Sequence, residues 1–268
     1  MWPSVQFDPI KLFDLHVSDL LYLDPYYVRT LVSSYVRLGD DVFAGLVNAP
    51  DVVGYLCEVC PGHADWLRQG VRRVSRKSSE RIRESEWRLL RSSWPWNVAM
   101  AKCPEKWDAL PWSSWDPAVI YDQVELKGKT VLDVGAGTGQ VTIRCAPYAE
   151  QVWALEPVAR LRRYIERKMG SAGLANVRTL DGVLEAVPLG DASVDAAILS
   201  NGSFGWDPLK ELEELERVTK PGGTILMLGP CNPEAIGTIS QIKDARGYKS
   251  LHFELPCDGR KPAFIKRR

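Results

Sequence analysis

The sequence of 268 residues has no apolar run approaching the ~18–20 residues that span a bilayer, so no transmembrane helix is expected. Its start, Met1-Trp2-Pro3-Ser4, lacks the basic and apolar regions of a secretory signal. Net charge is missing as well: 34 basic residues balance 34 acidic ones, which leaves no global field to draw the chain onto nucleic acid or an anionic membrane. These absences predict a soluble, cytoplasmic protein without a membrane span. Six cysteines (Cys57, Cys60, Cys103, Cys145, Cys231, Cys257) in so long a chain without a signal read as free thiols rather than a disulfide framework. Cys57, Cys60 and His63, with Cys103 in reserve, have partial zinc-ligand spacing. No second Cys-x-x-Cys or His pair accompanies them, so no metal is assigned. What remains is an ordinary globular composition, 45% hydrophobic and 25% charged, sufficient for a buried core.

Two halves differ. Residues 1–120 hold eight of the ten tryptophans but five of the 21 glycines. They read as mainly helical, punctuated by turns at Asp24-Pro25, Asn48-Ala49-Pro50, Pro61-Gly62 and Trp94-Pro95. Residues 121–268 alternate short β-rich runs with helical patterns, the signature of a parallel sheet with crossover helices. Strands are predicted at 130–134, 151–156, 177–180, 194–199 and 224–229, mostly apolar because helices cover both faces. A helix opens at Asp207-Pro208, with Leu209, Leu212, Leu215 and Val218 on one face and Glu213–Arg217 as an i,i+4 pair. It stops at Lys220-Pro221-Gly222-Gly223. A further helix is expected near 233–244, followed by extended runs at 248–255 and 262–266 joined at Cys257-Asp258-Gly259 as an antiparallel edge hairpin. The fold class is thus α/β.

The most informative stretch is Val131-Leu132-Asp133-Val134-Gly135-Ala136-Gly137-Thr138-Gly139-Gln140: an apolar strand, a glycine loop, then a helix. Leu155-Glu156-Pro157 closes the next strand with an acid able to accept hydrogen bonds from both ribose hydroxyls. A dinucleotide site wants G-x-G-x-x-G, and the last position here is Gln140. Asp133, two residues ahead of the first glycine, would repel a phosphate and suit a ligand carrying an ammonium or sulfonium cation.

These residues resemble the class I S-adenosylmethionine-dependent methyltransferases of small-molecule type, and further ordered matches extend the resemblance over about 121–230. They are Gly182-Val183-Leu184-Glu185-Ala186-Val187-Pro188-Leu189, then Asp191-Ala192-Ser193-Val194-Asp195, then Glu216-Arg217-Val218-Thr219-Lys220-Pro221-Gly222-Gly223. The resemblance implies a Rossmann-like seven-stranded, mostly parallel sheet and S-adenosylmethionine as cofactor, released as S-adenosylhomocysteine. By position it implies that Gly135, Ala136, Gly137, Thr138 and Gly139 carry the methionine portion, with Asp133 close by. Glu156 and Pro157 would lie at the ribose, Gly182 and Val183 at the adenine, and Ser200 and Asn201 at the methyl-transfer site. Val183 stands where many relatives have an aspartate.

Ser200-Asn201-Gly202 differs from the Asn/Asp-Pro-Pro-aromatic signature of adenine and glutamine methyltransferases, and the cysteine placement of arsenite methyltransferases is absent. Asn201, Phe204 and Trp206 are the candidate acceptor-facing residues, and no catalytic base is nominated. Trp87, Trp94, Trp96, Trp107, Trp112 and Trp115 either line an apolar lid over a small-molecule acceptor or pack the helical region. Residues 68–91 carry nine basic against three acidic side chains, a net of +6, which could hold RNA; residues 1–65 carry a net of −6, and mutual neutralisation is the expectation. An RNA or protein methyltransferase, or a non-catalytic cofactor-binding module, are the alternatives.

Overall fold

The computed structural model describes residues 8–36, 39–74, 78–200, 207–229, 237, 239–241, 243–255 and 259–268. They divide into two compact units, one from residue 8 to Pro104 and one from Glu105 to Arg268.

The first unit is helical: α1 (Pro9–Leu12), α2 (Pro25–Tyr35), α3 (Asp40–Leu46), α4 (Pro50–Val59), α5 (Ala64–Val74), α6 (Ser79–Ser92) and α7 (Pro95–Lys102). Asp8 and Asp24 begin α1 and α2, their carboxylates accepting the Ile10 and Tyr26 N–H groups at 3.0 Å, with prolines at the first helical positions. Close approach of α5 to α3 depends on Gly70, where a Cβ would lie 2.2 Å from the Phe43 ring. Acidic α3 neutralises part of the basic segment: Arg73 meets Asp40 at 2.5 Å, and Arg88 meets Asp41 at 2.9 Å and Glu84 at 2.5 Å. Cys57 and Cys60 are buried free thiols, and among the described residues no group of three or more His, Cys, Asp or Glu is arranged to hold a metal. No helix among the described residues is long and apolar enough to cross a membrane.

The second unit begins with α8 (Pro104–Asp108), which starts at the boundary, and α9 (Ala118–Tyr121). Then come β1 (Thr130–Val134), α10 (Gln140–Cys145), β2 (Gln151–Leu155), α11 (Ala159–Ser171), β3 (Val177–Leu180), β4 (Val194–Ser200), α12 (Pro208–Val218), β5 (Thr219–Leu228), β6 (Lys249–Leu255) and β7 (Gly259–Arg267). One sheet results, ordered β3-β2-β1-β4-β5-β7-β6, parallel except for β7, which runs antiparallel to both β5 and β6. This is the seven-stranded sheet with an edge hairpin expected from the sequence. Pairing of Leu255 with Gly259 closes the hairpin, whose turn at 256–258 lies outside the described residues. Of the helix expected near 233–244, residues 237 and 239–241 are helical, 243–244 lie in a turn, and 233–236, 238 and 242 lie outside the described residues.

Both sheet faces are buried, as the apolar strands require. Leu132, Val134, Ala197, Leu199, Ile225 and Met227 pack on α12 through Leu212, Leu215 and Val218. Val131, Ala196, Ile198 and Leu226 pack on α10 through Val141 and Cys145, joined by Trp115 and Ile120. Residues 105–120 therefore group with the sheet rather than with the helices before them.

In α12 the Asp207 carboxylate accepts the Lys210 N–H at 3.2 Å and Pro208 follows it. Two expectations fail there. Leu209 is exposed, because the buried stripe runs Glu211, Leu212, Leu215, Val218. Arg217 pairs with Glu214 and Asp191 at 2.8 Å, while Glu213 reaches Arg246 at 3.7 Å. The helix ends at Val218, just before Lys220–Gly223, as expected. The run is a bulge in β5, with Thr219 paired to Val194 and Thr224 to Ala196.

Candidate active site

At the carboxyl end of β1 the chain turns into α10 through three left-handed glycines, Gly135 (φ 64°), Gly137 (φ 55°) and Gly139 (φ 77°). Gly139 faces inward, and a Cβ there would lie 3.2 Å from Ile165. Gly135 faces outward, and a Cβ would meet no atom within 4 Å. The loop is fastened to β2: Ala136 N–H donates to the Leu155 carbonyl at 2.9 Å, and Gly137 N–H donates to Glu156 Oε2 at 2.9 Å.

Glu156 is 3% exposed, and its second oxygen accepts the Val158 N–H at 2.9 Å. Arg162 donates to the carbonyls of Glu156 and Pro157, and forms two 2.9 Å bonds with Asp181, tying the end of β2 to the residue before Gly182. Gly182 is required by close approach, since a Cβ would lie 2.9 Å from Pro188 and 3.0 Å from Leu155. Val183 bridges to Ala186, so a short two-residue loop follows β3 in the chain. Ser200 ends β4 opposite Leu228.

Asp133 is oriented by strand alternation. It shares the α10 face with Val131, and its Oδ2 accepts the Thr142 N–H at 2.9 Å and the Thr142 hydroxyl at 2.5 Å. That carboxylate anchors the first turn of α10, just after the glycine loop. Thr142 has no motif signal in the sequence and was not anticipated, nor was Arg162. The expected acceptor-facing residues Asn201, Phe204 and Trp206 lie outside the described residues. Of the tryptophans, Trp107 and Trp115 are buried in the sheet unit, Trp87 is exposed beneath Arg91, and Trp94 meets Tyr27 edge-on at 5.3 Å.

These features suit a nucleoside bearing a polar, amino-acid-like tail. Each Glu156 oxygen accepts one backbone N–H and keeps a further lone pair, enough for two adjacent hydroxyls. The buried Thr138 hydroxyl has no hydrogen-bond partner among the described residues, and the face before Gly135 is open to a ligand.

Burial pushes the Glu156 carboxyl from its ordinary 4.5 up to about 7, against the pull of the Val158 and Gly137 N–H groups. Burial likewise raises Asp133 from 3.8 to about 6 despite its bonds to Thr142. A carboxyl raised on folding binds more protons in the native state, so its stabilising contribution fades as pH climbs from the ordinary to the folded value. Glu214 and Glu216, held low by Arg217 and by Arg246 with Lys266, act in the opposite sense but only below about 4.5. The urea midpoint of the ligand-free chain is therefore expected to fall between about pH 5 and about pH 7.5. A hydroxyl-donating ligand prefers the ionised carboxylate, so its affinity is expected to rise over the same window. A midpoint that climbs across it contradicts the burial of these two acids.

Residues 132–227 match the family model described as a methyltransferase domain. An uncharacterized methyltransferase of Mycobacterium tuberculosis is 29% identical over 134 residues, 50% of this chain and 53% of that protein. Demethylmenaquinone methyltransferase of Geobacillus kaustophilus is 34% identical over 128 residues, 46% of this chain and 54% of that protein. The chain thus spans about half the length of the curated relatives it matches. Among solved structures, a SAM-dependent methyltransferase from Aquifex aeolicus superposes with a TM-score of 0.50 at 26% identity, over 62% of this chain and 95% of that one.

Proposed function

We propose that the chain is a class I S-adenosylmethionine-dependent methyltransferase whose methyltransferase domain spans 132–227, and that it transfers a methyl group to a small-molecule acceptor. The observation that carries the cofactor assignment is the buried Glu156 carboxylate bridging the glycine loop and the β2–α11 turn with acceptor capacity to spare. When bound, S-adenosylmethionine supplies an electrophilic methyl on a sulfonium and leaves as S-adenosylhomocysteine.

The chain's own residues hold and dry the reactants. Glu156 takes the ribose hydroxyls, with Pro157 beside it, while the backbone of Gly182 and Val183 lies against the adenine. Gly135, Ala136, Gly137, Thr138 and Gly139 carry the methionine portion, and the Thr138 hydroxyl adds a polar contact. Asp133 serves from behind, through Thr142, by fixing where α10 begins. Ser200, at the carboxyl end of β4, borders the methyl, and Asn201, Phe204 and Trp206, which lie outside the described residues, are the candidate acceptor-facing residues.

The small-molecule class is supported by two facts. The relative from Geobacillus kaustophilus is named for demethylmenaquinone, and the basic residues Arg73 and Arg88, in the segment 68–91, are already paired with acids of α3 and α6. Incubation of the full chain with methyl-labelled S-adenosylmethionine and a panel of quinols, phenols, amines, bulk RNA and bulk protein tests it. Label is expected in a small aromatic acceptor. Label confined to RNA or protein overturns the small-molecule assignment, and cofactor binding without label in any acceptor favours a non-catalytic module.

A further inference from the structure

Asp108, the last residue of α8, collects donors from three directions. Its Oδ1 accepts the side-chain amide of Gln140 at 2.5 Å, and its Oδ2 accepts the Tyr164 hydroxyl at 2.7 Å and the Lys168 ammonium at 2.6 Å. The same ammonium donates to the Thr138 carbonyl at 2.9 Å, inside the glycine loop. Gln140 opens α10, and its own side-chain carbonyl accepts Arg144 at 2.5 Å. Arg144 reaches the Ser113 carbonyl at 2.8 Å and lies over the Trp115 ring at 4.4 Å. A continuous polar chain therefore runs from the middle of the glycine loop, through Lys168, Asp108, Gln140 and Arg144, to the segment that precedes the sheet.

This is no screened surface pair. The Asp108 and Lys168 side chains are 16% and 18% exposed, so their attraction is little weakened by solvent. Burial, reinforced by the Asp108 carboxylate, raises the Tyr164 hydroxyl far above its ordinary range and keeps it a donor. Three left-handed glycines give the loop many alternative shapes, and the strap removes them before any ligand arrives. Lys168 has no motif to mark it. It sits one helical turn after Tyr164, and both side chains meet the same carboxylate.

We propose that Asp108 is a positioning residue: through Lys168 and Gln140 it sets the shape of the glycine loop in the ligand-free protein and thereby raises cofactor affinity. The effect on affinity rests on the S-adenosylmethionine reading of the site; the effect on the loop does not. The step acts through contacts alone and no bond is made or broken.

The test compares the full-length wild type with Asp108→Asn, Lys168→Met and the double variant. Lys220→Met is the control, because it breaks a lysine–aspartate pair of like length but greater exposure, with Asp195 at 3.0 Å, at the opposite end of the sheet. Two quantities are read: hydrogen exchange of peptides covering 135–143 without ligand, and the Kd for S-adenosylhomocysteine. Global destabilisation leaves the Kd of the folded protein unchanged, so a shift in Kd reads loop geometry rather than stability. Each single variant is expected to speed loop exchange and raise Kd about tenfold, with the double variant no worse than either single one and Lys220→Met unchanged. Unaltered loop exchange in Asp108→Asn, or a Kd that shifts equally in the control, overturns the proposal. A wild type that does not bind S-adenosylhomocysteine overturns the cofactor reading instead, while the exchange rates still decide whether the strap exists.

Discussion

Replacing Glu156 by alanine is expected to weaken S-adenosylmethionine and S-adenosylhomocysteine binding about a hundredfold or more. Two hydroxyl bonds to a carboxylate contribute roughly 1.5–3 kcal/mol each, and every 1.4 kcal/mol is a factor of ten. The same change strips the Gly137 and Val158 N–H groups of their acceptor, so the loop loses a strut as well as a ligand contact. Glu156→Gln separates the two effects. An amide fills the same space and can still accept one N–H, but it carries no charge, and a loss nearer tenfold is expected. Stability moves the other way: a buried carboxyl whose pKa is raised to about 7 destabilises the ligand-free fold once ionised, so Glu156→Gln is expected to match or exceed the wild-type urea midpoint at about pH 8. Calorimetric titration alongside urea unfolding checks both halves. A glutamine variant that binds as the wild type does removes Glu156 from the site.

The second large effect is expected from Gly135→Ala. At φ 64° an alanine costs about 1 kcal/mol in backbone strain, and its methyl meets no protein atom within 4 Å. The variant should therefore fold, with a thermal midpoint only a few degrees lower. The methyl projects into the open face that the ligand needs, so cofactor affinity should fall at least about tenfold. Gly139→Ala supplies the contrast. Its methyl points inward at Ile165, 3.2 Å away, so most of its penalty falls on stability. Equal binding losses in the two variants, scaling only with stability, would show that the loop's outer face is not the ligand's.

Which features could be read from the sequence follows from how local their causes are. β1 and β3 run over the residues anticipated, because an apolar run between turn residues defines them without help from the rest of the chain. The glycine loop and Glu156 were visible for the same reason: strand, turn and acid sit within a single βαβ unit. Leu209 was misplaced because helical periodicity fixes spacing and leaves the phase open, and tertiary contacts chose Glu211 for the buried stripe. Arg217 has acids at both i−3 and i−4, and the approach of Asp191 and Arg246 decided which it took. The strap at Asp108 was invisible, since its partners lie 32, 56 and 60 residues away and only the folded sheet brings them together. Asp133 is a subtler case. Its place in the motif was legible, but the side to which its carboxylate turns is set by strand alternation against α10, where Thr142 receives it.

The measurement that bears most directly on the central claim is calorimetric titration of the purified wild-type chain with S-adenosylmethionine, S-adenosylhomocysteine and NAD at about pH 7.5. The two sulfur ligands are expected to bind at one site each, releasing protons as Glu156 is held ionised, and NAD is expected not to bind, because Gln140 stands where the G-x-G-x-x-G loop of a dinucleotide site has its last glycine. Binding of NAD, or of none of the three, contradicts the account.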